Sequence, residues 1–545
     1  MLKDGKIWVA NNESGENVFL LPKMANRHGL IAGATGTGKT ITLKVLAESF
    51  SDMGVPVFLA DVKGDLAGMV QEGVDSEDMQ KRIQRFGLEE AGFDYQKYPS
   101  TFWDVFGEKG IPLRTTISEM GPVLLSRILG LNDLQRDILS IAFKIADDNE
   151  LLLVDTKDLK AMLTYISDNN KEFAAEYGNI SKVSVAAIVR AVVSLEIAGG
   201  DKFFFEPALN IRDWFTTGEG GKGMINILDS TSLINNGTLY STFLLWMMSE
   251  LFETLPEVGD LDKPKMVFFF DEAHLLFADA PKILMDKIEQ VIKLIRSKGV
   301  GIYFVTQNPR DIPDGVLAQL GNKIQHALRA YTPSDMKAVK AAADSFRENP
   351  AFKTADIIQE LSTGEAVCSF LDEHGTPTMC ERVKILPPQS RMGGIDDSVR
   401  DKEIKGSVLY SKYFEAHDPD SAYEFLQRKG IEDAKEAERL KAEELARKEK
   451  EKEEAAAAKA KEKEEAAEKR KQKQRIKTVG NAVVGTVGRE VGKDLVESSE
   501  NSERHSEEIS EQVSEEESFQ QYSRPDSRCL SLPKKIYAIQ RTCLL

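Results

Sequence analysis

The chain has little cysteine and no long apolar run. Cysteine occurs at four of 545 positions, and none of the four has the C-x-x-C or Cys/His spacing of a metal site; they are Cys368, Cys380, Cys529 and Cys543. No window of about 18 uninterrupted apolar residues occurs, and the first residues lack the profile of a signal peptide. We therefore expect a cytoplasmic protein without a membrane span, in a reducing compartment.

Positive charge is outnumbered by negative charge. The chain has 71 Lys and Arg against 88 Asp and Glu, which gives a formal net charge of −17. Affinity for the phosphate backbone of a nucleic acid normally depends on clustered Lys and Arg side chains. Any contact with DNA is therefore expected to be confined to a few loops.

One stretch carries a complete phosphate-binding pattern, G-x-x-x-x-G-K-[ST]. The apolar residues 30–32 before it predict a short strand, and the helical spacing of residues 41–50 after it supplies the context that such a loop needs. Backbone N–H groups and the helix start would bind the phosphates of a nucleoside triphosphate, Lys39 would reach the β- and γ-phosphates, and Thr40 would bind Mg²⁺. The pattern consists of Gly33, Ala34, Thr35, Gly36, Thr37, Gly38, Lys39 and Thr40.

A second acidic motif follows a strongly apolar run. Residues 266–270 read Met-Val-Phe-Phe-Phe, which predicts a fully buried strand, and Asp271 and Glu272 come directly after it. In this Walker B arrangement Asp271 would hold the Mg²⁺ shell. Glu272 would orient and deprotonate the attacking water as the catalytic base.

The same residues begin the tetrad Asp-Glu-Ala-His, the box of certain RNA helicases. Those enzymes need a second RecA-like domain after the box, whereas about 120 residues follow here before low-complexity sequence begins. We therefore interpret His274 as the start of a helix near the site.

Two further polar residues are candidates for catalysis. Gln307 follows the apolar run 301–305 and is a candidate γ-phosphate sensor, because the carboxyl ends of neighbouring parallel strands lie close to the nucleotide. Arg296 lies at the end of the preceding helix. It is either an ordinary helix-terminal cation or a residue that reaches a neighbouring subunit's site, and the residues alone favour the former. Arg329, in a predicted strand at 323–331, is a second and weaker candidate for an arginine that reaches a neighbouring subunit's site.

The order of these motifs resembles the HerA/FtsK branch of hexameric DNA-pumping ATPases. The resemblance depends on the phosphate loop, Asp61-Val62-Lys63-Gly64-Asp65, the strand that ends in Glu272, R-x-x-G-V-G from Arg296, and Val-Thr-Gln ending at Gln307. More narrowly, the chain is similar to the bacterial HerA-like proteins of the YjgR type.

This resemblance implies ATP and Mg²⁺ as cofactors and a homo-oligomer, a hexameric ring with composite active sites. It implies a DNA translocase or helicase with duplex DNA in the ring lumen, and a nuclease or another protein as a partner. It also implies that Arg296 acts on the neighbouring subunit's ATP and that Asp61 lies near the nucleotide.

Two other functions stay open. HerA proper has a β-barrel domain before the phosphate loop, and about 30 residues precede the loop here, so we do not expect that barrel. This difference and the acidic body make a regulatory or assembly NTPase, acting on protein partners rather than DNA, an alternative. A conjugation-type coupling ATPase is the second alternative, although such an ATPase would normally need a membrane anchor.

The predicted fold is α/β: a RecA-like P-loop NTPase sheet with a long, mostly helical insert and a charged helical, partly disordered C-terminal tail. A strand at 223–229 is expected to rejoin the sheet, and the insert's aromatic residues are expected to pack in the core rather than stack on DNA. The predicted segments are 1–75 and 262–395 for the two parts of the ATPase core, 76–261 for the insert, 396–430 for a C-terminal extension of the core, 431–476 for a charged Ala/Glu/Lys helix, and 477–545 for a Gly-punctuated segment and disordered acidic tail.

Overall fold

The computed structural model of the chain describes residues 1–277 and 282–483. The strands are β1 Leu2–Lys3, β2 Lys6–Asn12, β3 Asn17–Leu20, β4 Gly29–Ala32, β5 Val57–Asp61, β6 Ser100–Asp104, β7 Ile111–Pro112, β8 Ile225–Asp229, β9 Met266–Phe270, β10 Val300–Thr306, β11 Asn322–Gln325, β12 Glu365–Ser369 and β13 Glu381–Ile385. The helices are α1 Lys39–Asp52, α2 Glu77–Phe86, α3 Ile117–Ile128, α4 Asp133–Asp148, α5 Thr156–Asp168, α6 Asn170–Tyr177, α7 Lys182–Ile197, α8 Gly200–Phe203, α9 Gly237–Thr254, α10 His274–Phe277, α11 Lys282–Ile295, α12 Asp314–Leu317, α13 Pro333–Asp344, α14 Thr354–Glu360, α15 Asp397–Gly406, α16 Tyr410–Tyr413 and α17 Ala422–Val483.

The strands form one 13-stranded sheet in the order β1-β2-β13-β12-β11-β4-β10-β9-β5-β8-β6-β7, with β3 paired to β2. From β11 through β4, β10, β9, β5, β8 and β6 to β7, every neighbouring pair is parallel. The carboxyl ends of these strands therefore meet at one edge of the sheet, where parallel α/β proteins bind their ligands.

The central strands are buried along their whole length. Every residue of β5, β8, β9 and β10 is buried. Since successive side chains of a strand point to opposite faces, both faces of this part of the sheet are covered. The apolar run 266–270 forms β9 with the bounds that the sequence predicts. The α/β fold with a parallel central sheet is thus confirmed.

The first strands of the chain complete the sheet on its antiparallel side. Strand β2 pairs with β13, with Ala10 opposite Ile385, and also pairs with β1 and β3. Strand β13 pairs with β12, and β12 with β11. Residues close to the beginning of the chain and residues near position 385 therefore lie side by side.

Residues 76–261 contribute strands as well as helices. Strand β8 pairs with β5, as expected for the segment 223–229, and β6 and β7 extend the sheet beyond it. The strand β6 went unpredicted because its five residues, Ser-Thr-Phe-Trp-Asp, show neither alternation nor a long apolar run. Trp103 and Trp214 are both fully buried and pack edge to face, which confirms the prediction that these aromatic residues belong to the core.

The chain divides into two units, Met1–Glu438 and Arg439–Leu545. In the second unit, the later part of α17 has exposed side chains at 439–475 and i,i+4 ion pairs such as Lys448 with Glu444. Helix α17 begins at Ala422, nine residues before the charged helix that composition predicts, because the residues 422–430 are less strongly biased. The described residues end at 483, so most of the predicted segment 477–545, with its acidic tail, lies outside them. Cys529 and Cys543 also lie outside them.

Cys368 and Cys380 are free and buried. Among the described residues, no helix is both long enough and apolar enough to cross a membrane.

Candidate active site

The phosphate loop joins β4 to α1 at the carboxyl edge of the sheet. Gly33 has φ +153° and Gly38 has φ +115°, conformations that favour glycine. A Cβ on Gly33 would lie 2.5 Å from the Cβ of His326, so a side chain there has no room. The pattern therefore needs a glycine at position 33 for a close approach to the residue that follows β11, as well as for the turn.

Lys39 is folded back on its own loop. Its Nζ donates to the carbonyl oxygens of Gly33, at 2.7 Å, and Ala34, at 3.0 Å. Burial lowers the pKa of Lys39, and the nearby charges of Glu272 and Asp271 partly oppose this effect. The ammonium group thus holds backbone contacts that a phosphate could replace, and the charges of Glu272 and Asp271 act on it.

Glu272 lies directly after β9 in an unusual backbone conformation. Its φ is +47°, in the left-handed region that non-glycine residues rarely adopt, and it is buried with only 5% of its side chain exposed. Such strained residues cluster at functional sites, because the surrounding structure must hold them in place. The strained backbone at Glu272 therefore indicates that this residue belongs to a functional site.

Three side chains surround the Glu272 carboxylate. Lys63 Nζ lies 2.5 Å from Oε1, Gln307 Nε2 donates to Oε2 at 3.2 Å, and His274 Nδ1 lies 3.2 Å from Oε2. Burial raises the pKa of Glu272, but the contacts with Lys63 and Gln307 outweigh it and hold the pKa below its usual value. Glu272 is therefore ionised at neutral pH and can accept a proton.

The contact of Lys63 with the Glu272 carboxylate is one that motif analysis did not predict. This lysine lies in the loop after β5, and Asp61 shapes this loop by accepting hydrogen bonds from the backbone N–H groups of Lys63, Gly64 and Leu66. Burial and the charge of Asp65 raise the pKa of Asp61 to about 7. In the sequence, Lys63 is recognisable only as a charged residue two positions after the end of β5, and this position alone does not show which side chain it contacts. A direct role of Asp61 toward the nucleotide stays a prediction.

Asp271 has the properties of a ligand for a hard cation. Its Oδ2 is buried without a hydrogen-bond partner among the described residues, and burial raises the pKa of Asp271 to about 6. A buried carboxylate oxygen without a partner is costly and calls for an ion or a water. Oxygen donors from Asp271 and the half-buried Thr40 fit Mg²⁺, which proteins usually bind through one or two carboxylates and substrate phosphates.

The segment after β11 forms a wall of the loop. Strand β11 ends at Gln325, earlier than the predicted strand at 323–331, because the next residues turn onto the phosphate loop: Ala34 N donates to Ala327 O at 2.8 Å. His326 is fully buried, and its ring nitrogens contact Thr42 Oγ1 at 2.8 Å and Glu365 O at 2.9 Å. Burial lowers the pKa of His326 to about 4, so this ring is a neutral structural support.

Arg296 lies away from these residues. It precedes β10, whereas Gln307 follows it, so Arg296 is at the amino edge of the sheet and the phosphate loop is at the carboxyl edge. Its side chain is 39% exposed, and its guanidinium lies 3.5 Å from the Asp260 carboxylate. The exposed Arg329 donates to Leu361 O. Neither arginine approaches the Glu272 carboxylate of its own chain.

The parallel sheet, the glycine-rich loop leading into a helix and the acidic residues after β9 define a P-loop NTPase. The family described as "Helicase HerA-like C-terminal" matches residues 6–500. The chain belongs to this family.

Individual relatives are distant. A probable helicase of Methanocaldococcus jannaschii is 32% identical over 141 residues, which cover 24% of this chain and 25% of the relative. The DNA double-strand break repair helicase HerA of Sulfolobus acidocaldarius is 20% identical over 358 residues, which cover 63% of this chain and 62% of the relative. The chain thus spans less than two thirds of either relative. Among solved structures, VirB4 of Thermoanaerobacter pseudethanolicus matches 71% of this chain and 97% of its own, with 15% identity and a TM-score of 0.44.

Proposed function

We propose that this chain is a Mg²⁺-dependent ATPase that couples ATP hydrolysis to movement on duplex DNA as a HerA-like translocase or helicase. In this proposal it works as a hexameric ring with composite active sites and belongs to the bacterial YjgR type. Membership of the HerA-like family supports the proposal, since the two relatives described above are named as helicases.

The arrangement of side chains around Glu272 is the observation that supports ATP hydrolysis in this proposal. An ionised carboxylate lies at the carboxyl edge of the sheet, close enough to Lys39 for their charges to interact, and Gln307 donates to it. A general base must be ionised and must lie near the phosphates that are attacked. Glu272 meets both conditions, which an acidic residue with a purely structural role would not need.

The side chains have separate tasks in the proposed reaction. Lys39 exchanges its carbonyl contacts for the β- and γ-phosphates, and Gln307 senses the γ-phosphate while it orients Glu272. Thr40 and Asp271 would hold Mg²⁺, which when bound neutralises charge on the phosphates. Glu272 accepts the proton of the attacking water at its carboxylate.

Arg296 fits a role between subunits better than a role within one. Strand β10 separates it from Gln307 by seven residues, a span of about 23 Å at 3.3 Å per residue. An arginine on the opposite edge cannot reach its own γ-phosphate over that distance. In a head-to-tail ring it would face the next subunit's site, which is the arrangement of a composite site.

Steady-state ATP hydrolysis tests the proposal. The purified protein is assayed with and without linear duplex DNA, at low and at physiological salt, with Glu272→Gln as the matched control. We expect DNA to stimulate turnover, and salt to weaken the stimulation because phosphate contacts are screened. Glu272→Gln should still bind ATP but lose turnover.

Two results would count against the proposal. Undiminished turnover by Glu272→Gln would remove Glu272 as the base. Robust turnover that is indifferent to DNA would favour the alternative, a regulatory or assembly NTPase that acts on protein partners, in keeping with the net charge of −17.

A further inference from the structure

The loop after β5 brings the ammonium group of Lys63 to the Glu272 carboxylate. Strands β5 and β9 are parallel neighbours, with Ala60 opposite Phe270, so the residues that follow the two strands leave the sheet side by side at its carboxyl edge. Lys63 Nζ lies 2.5 Å from Glu272 Oε1, the shortest of the three contacts described above. The proposed reaction nevertheless gives Lys63 no task.

The backbone that carries Lys63 is fixed by a buried acid. Asp61 is 2% exposed, and its carboxylate accepts three hydrogen bonds of 2.7–3.2 Å. The donors are the backbone N–H groups of Lys63, Gly64 and Leu66. The Asp61 carbonyl oxygen in turn accepts from Ser230 N at 2.8 Å, which ties the loop to the residue after β8. The Cα atom of Lys63 is therefore held in one place relative to β5 and β8.

The two oxygens of the Glu272 carboxylate have different partners. Lys63 Nζ contacts Oε1, whereas Gln307 Nε2 and His274 Nδ1 each lie 3.2 Å from Oε2. In the sheet order β4-β10-β9-β5, Gln307 follows β10, and the neighbour of β10 on the far side from β9 is β4, which leads into the phosphate loop. Oε2 thus lies toward the side of the phosphate loop, and Oε1 lies toward the loop after β5.

The strained backbone of Glu272 makes the contact to Oε1 important. A residue with φ +47° keeps its conformation only when the surrounding contacts determine it. The terminal torsion of a glutamate side chain is broad, so contacts to Oε2 alone leave the plane of the carboxylate free to rotate. The Lys63 ammonium group removes this freedom, and a hydrogen bond between two charged groups is stronger than a neutral one.

We propose that Lys63 is a positioning residue for the general base: it holds Oε1 of Glu272, so that Oε2 is the oxygen that accepts the proton of the attacking water. In this step the water oxygen bonds to the γ-phosphorus, and the proton passes to Oε2. The bond between the γ-phosphorus and the β–γ bridging oxygen breaks, and ADP leaves with the electron pair. Lys63 keeps its own proton throughout. This inference rests on the proposed function, because it gives a task to a neighbour of the proposed base.

The test measures turnover and nucleotide binding separately in the full chain. Lys63→Met keeps the stem of the side chain and loses the ammonium group. We expect kcat to fall by about 10- to 100-fold, as for a misplaced catalytic group, and the affinity for a non-hydrolysable ATP analogue to stay unchanged. Lys63→Arg, which can still donate to Oε1, should recover part of kcat. Lys109→Met is the matched control and should keep wild-type turnover, because Lys109 is exposed in the loop after β6 and donates to Thr231.

A second comparison separates positioning from a purely structural effect. Lys63→Met is combined with Glu272→Gln, whose residual turnover no longer depends on a carboxylate at position 272. If Lys63 acts through that carboxylate, the added substitution should leave the residual kcat unchanged. An unchanged kcat in Lys63→Met alone, an equal fold-loss in both backgrounds, or a parallel loss of analogue binding would overturn the positioning role and leave the proposed function standing. Undiminished turnover by Glu272→Gln would overturn both.

Discussion

The contact between Lys63 and Glu272 can be measured through the stability of the nucleotide-free protein. In Lys63→Met, the 2.5 Å ion pair is lost, and a carboxylate with 5% exposure keeps Gln307 as its hydrogen-bond donor. A hydrogen bond to a charged group contributes about 1.5–3 kcal/mol. Because the Lys63 side chain is 41% exposed, water offsets part of this value, and we expect a loss of about 1–2 kcal/mol.

A double-mutant cycle isolates the contact from other effects of the substitution. Thermal unfolding is followed for the wild type, Lys63→Met, Glu272→Gln and the double variant, and the coupling free energy is expected to be about 1 kcal/mol or more. Lys81→Met removes a fully surface pair with Glu77 and should cost less than about 0.5 kcal/mol. The same loss from Lys63→Met in both backgrounds would refute the reasoning, because the effect would not then depend on the carboxylate.

Three further predictions concern the loop, the neighbouring subunit and pH. Gly33→Ala should abolish nucleotide binding in a titration, since its Cβ would lie 2.5 Å from the Cβ of His326. Arg296→Ala should bind ATP but not hydrolyse it, and mixing it with the inactive Lys39→Ala protein should restore part of the turnover. Burial lowers the pKa of His28 to about 4, so the unfolded chain binds the proton more strongly and stability should fall by up to about 3 kcal/mol as the pH drops from 6.5 to 4. His28→Asn, which tolerates the positive φ, should flatten that part of the thermal stability curve.

Each of these has a result that contradicts it. Gly406→Ala is the control for the loop, because the same addition there meets no atom within 4 Å, and equal nucleotide binding by the two glycine variants would refute the steric argument. No rescue in the mixed assembly would count against a role of Arg296 between subunits. An unchanged pH profile in His28→Asn would show that other groups control the acid limb.

The features that the sequence predicts well are those set by short-range rules. A loop of fixed spacing between a strand and a helix, and a strand of five apolar residues that ends in two acids, are defined within about ten residues of chain, and β4, α1 and β9 appear where expected. The α/β class followed from the same local patterns.

The unpredicted features depend on contacts between distant segments. Lys63 meets Glu272 only because β5 and β9 are neighbours, and the pairing of β2 with β13 joins residues about 370 positions apart. Periodicity shows which face of an element is apolar, but it does not show which element covers it.

The position of β4 in the sheet has a consequence for synthesis of the protein. Its two neighbours are β10 and β11, which begin at Val300 and Asn322, about 270 or more residues after β4 ends. At roughly 5–20 residues per second, a ribosome needs about 15–55 s to make that stretch. During this interval β4 lacks both of its neighbouring strands, so the phosphate loop is not assembled until about three fifths of the chain has emerged.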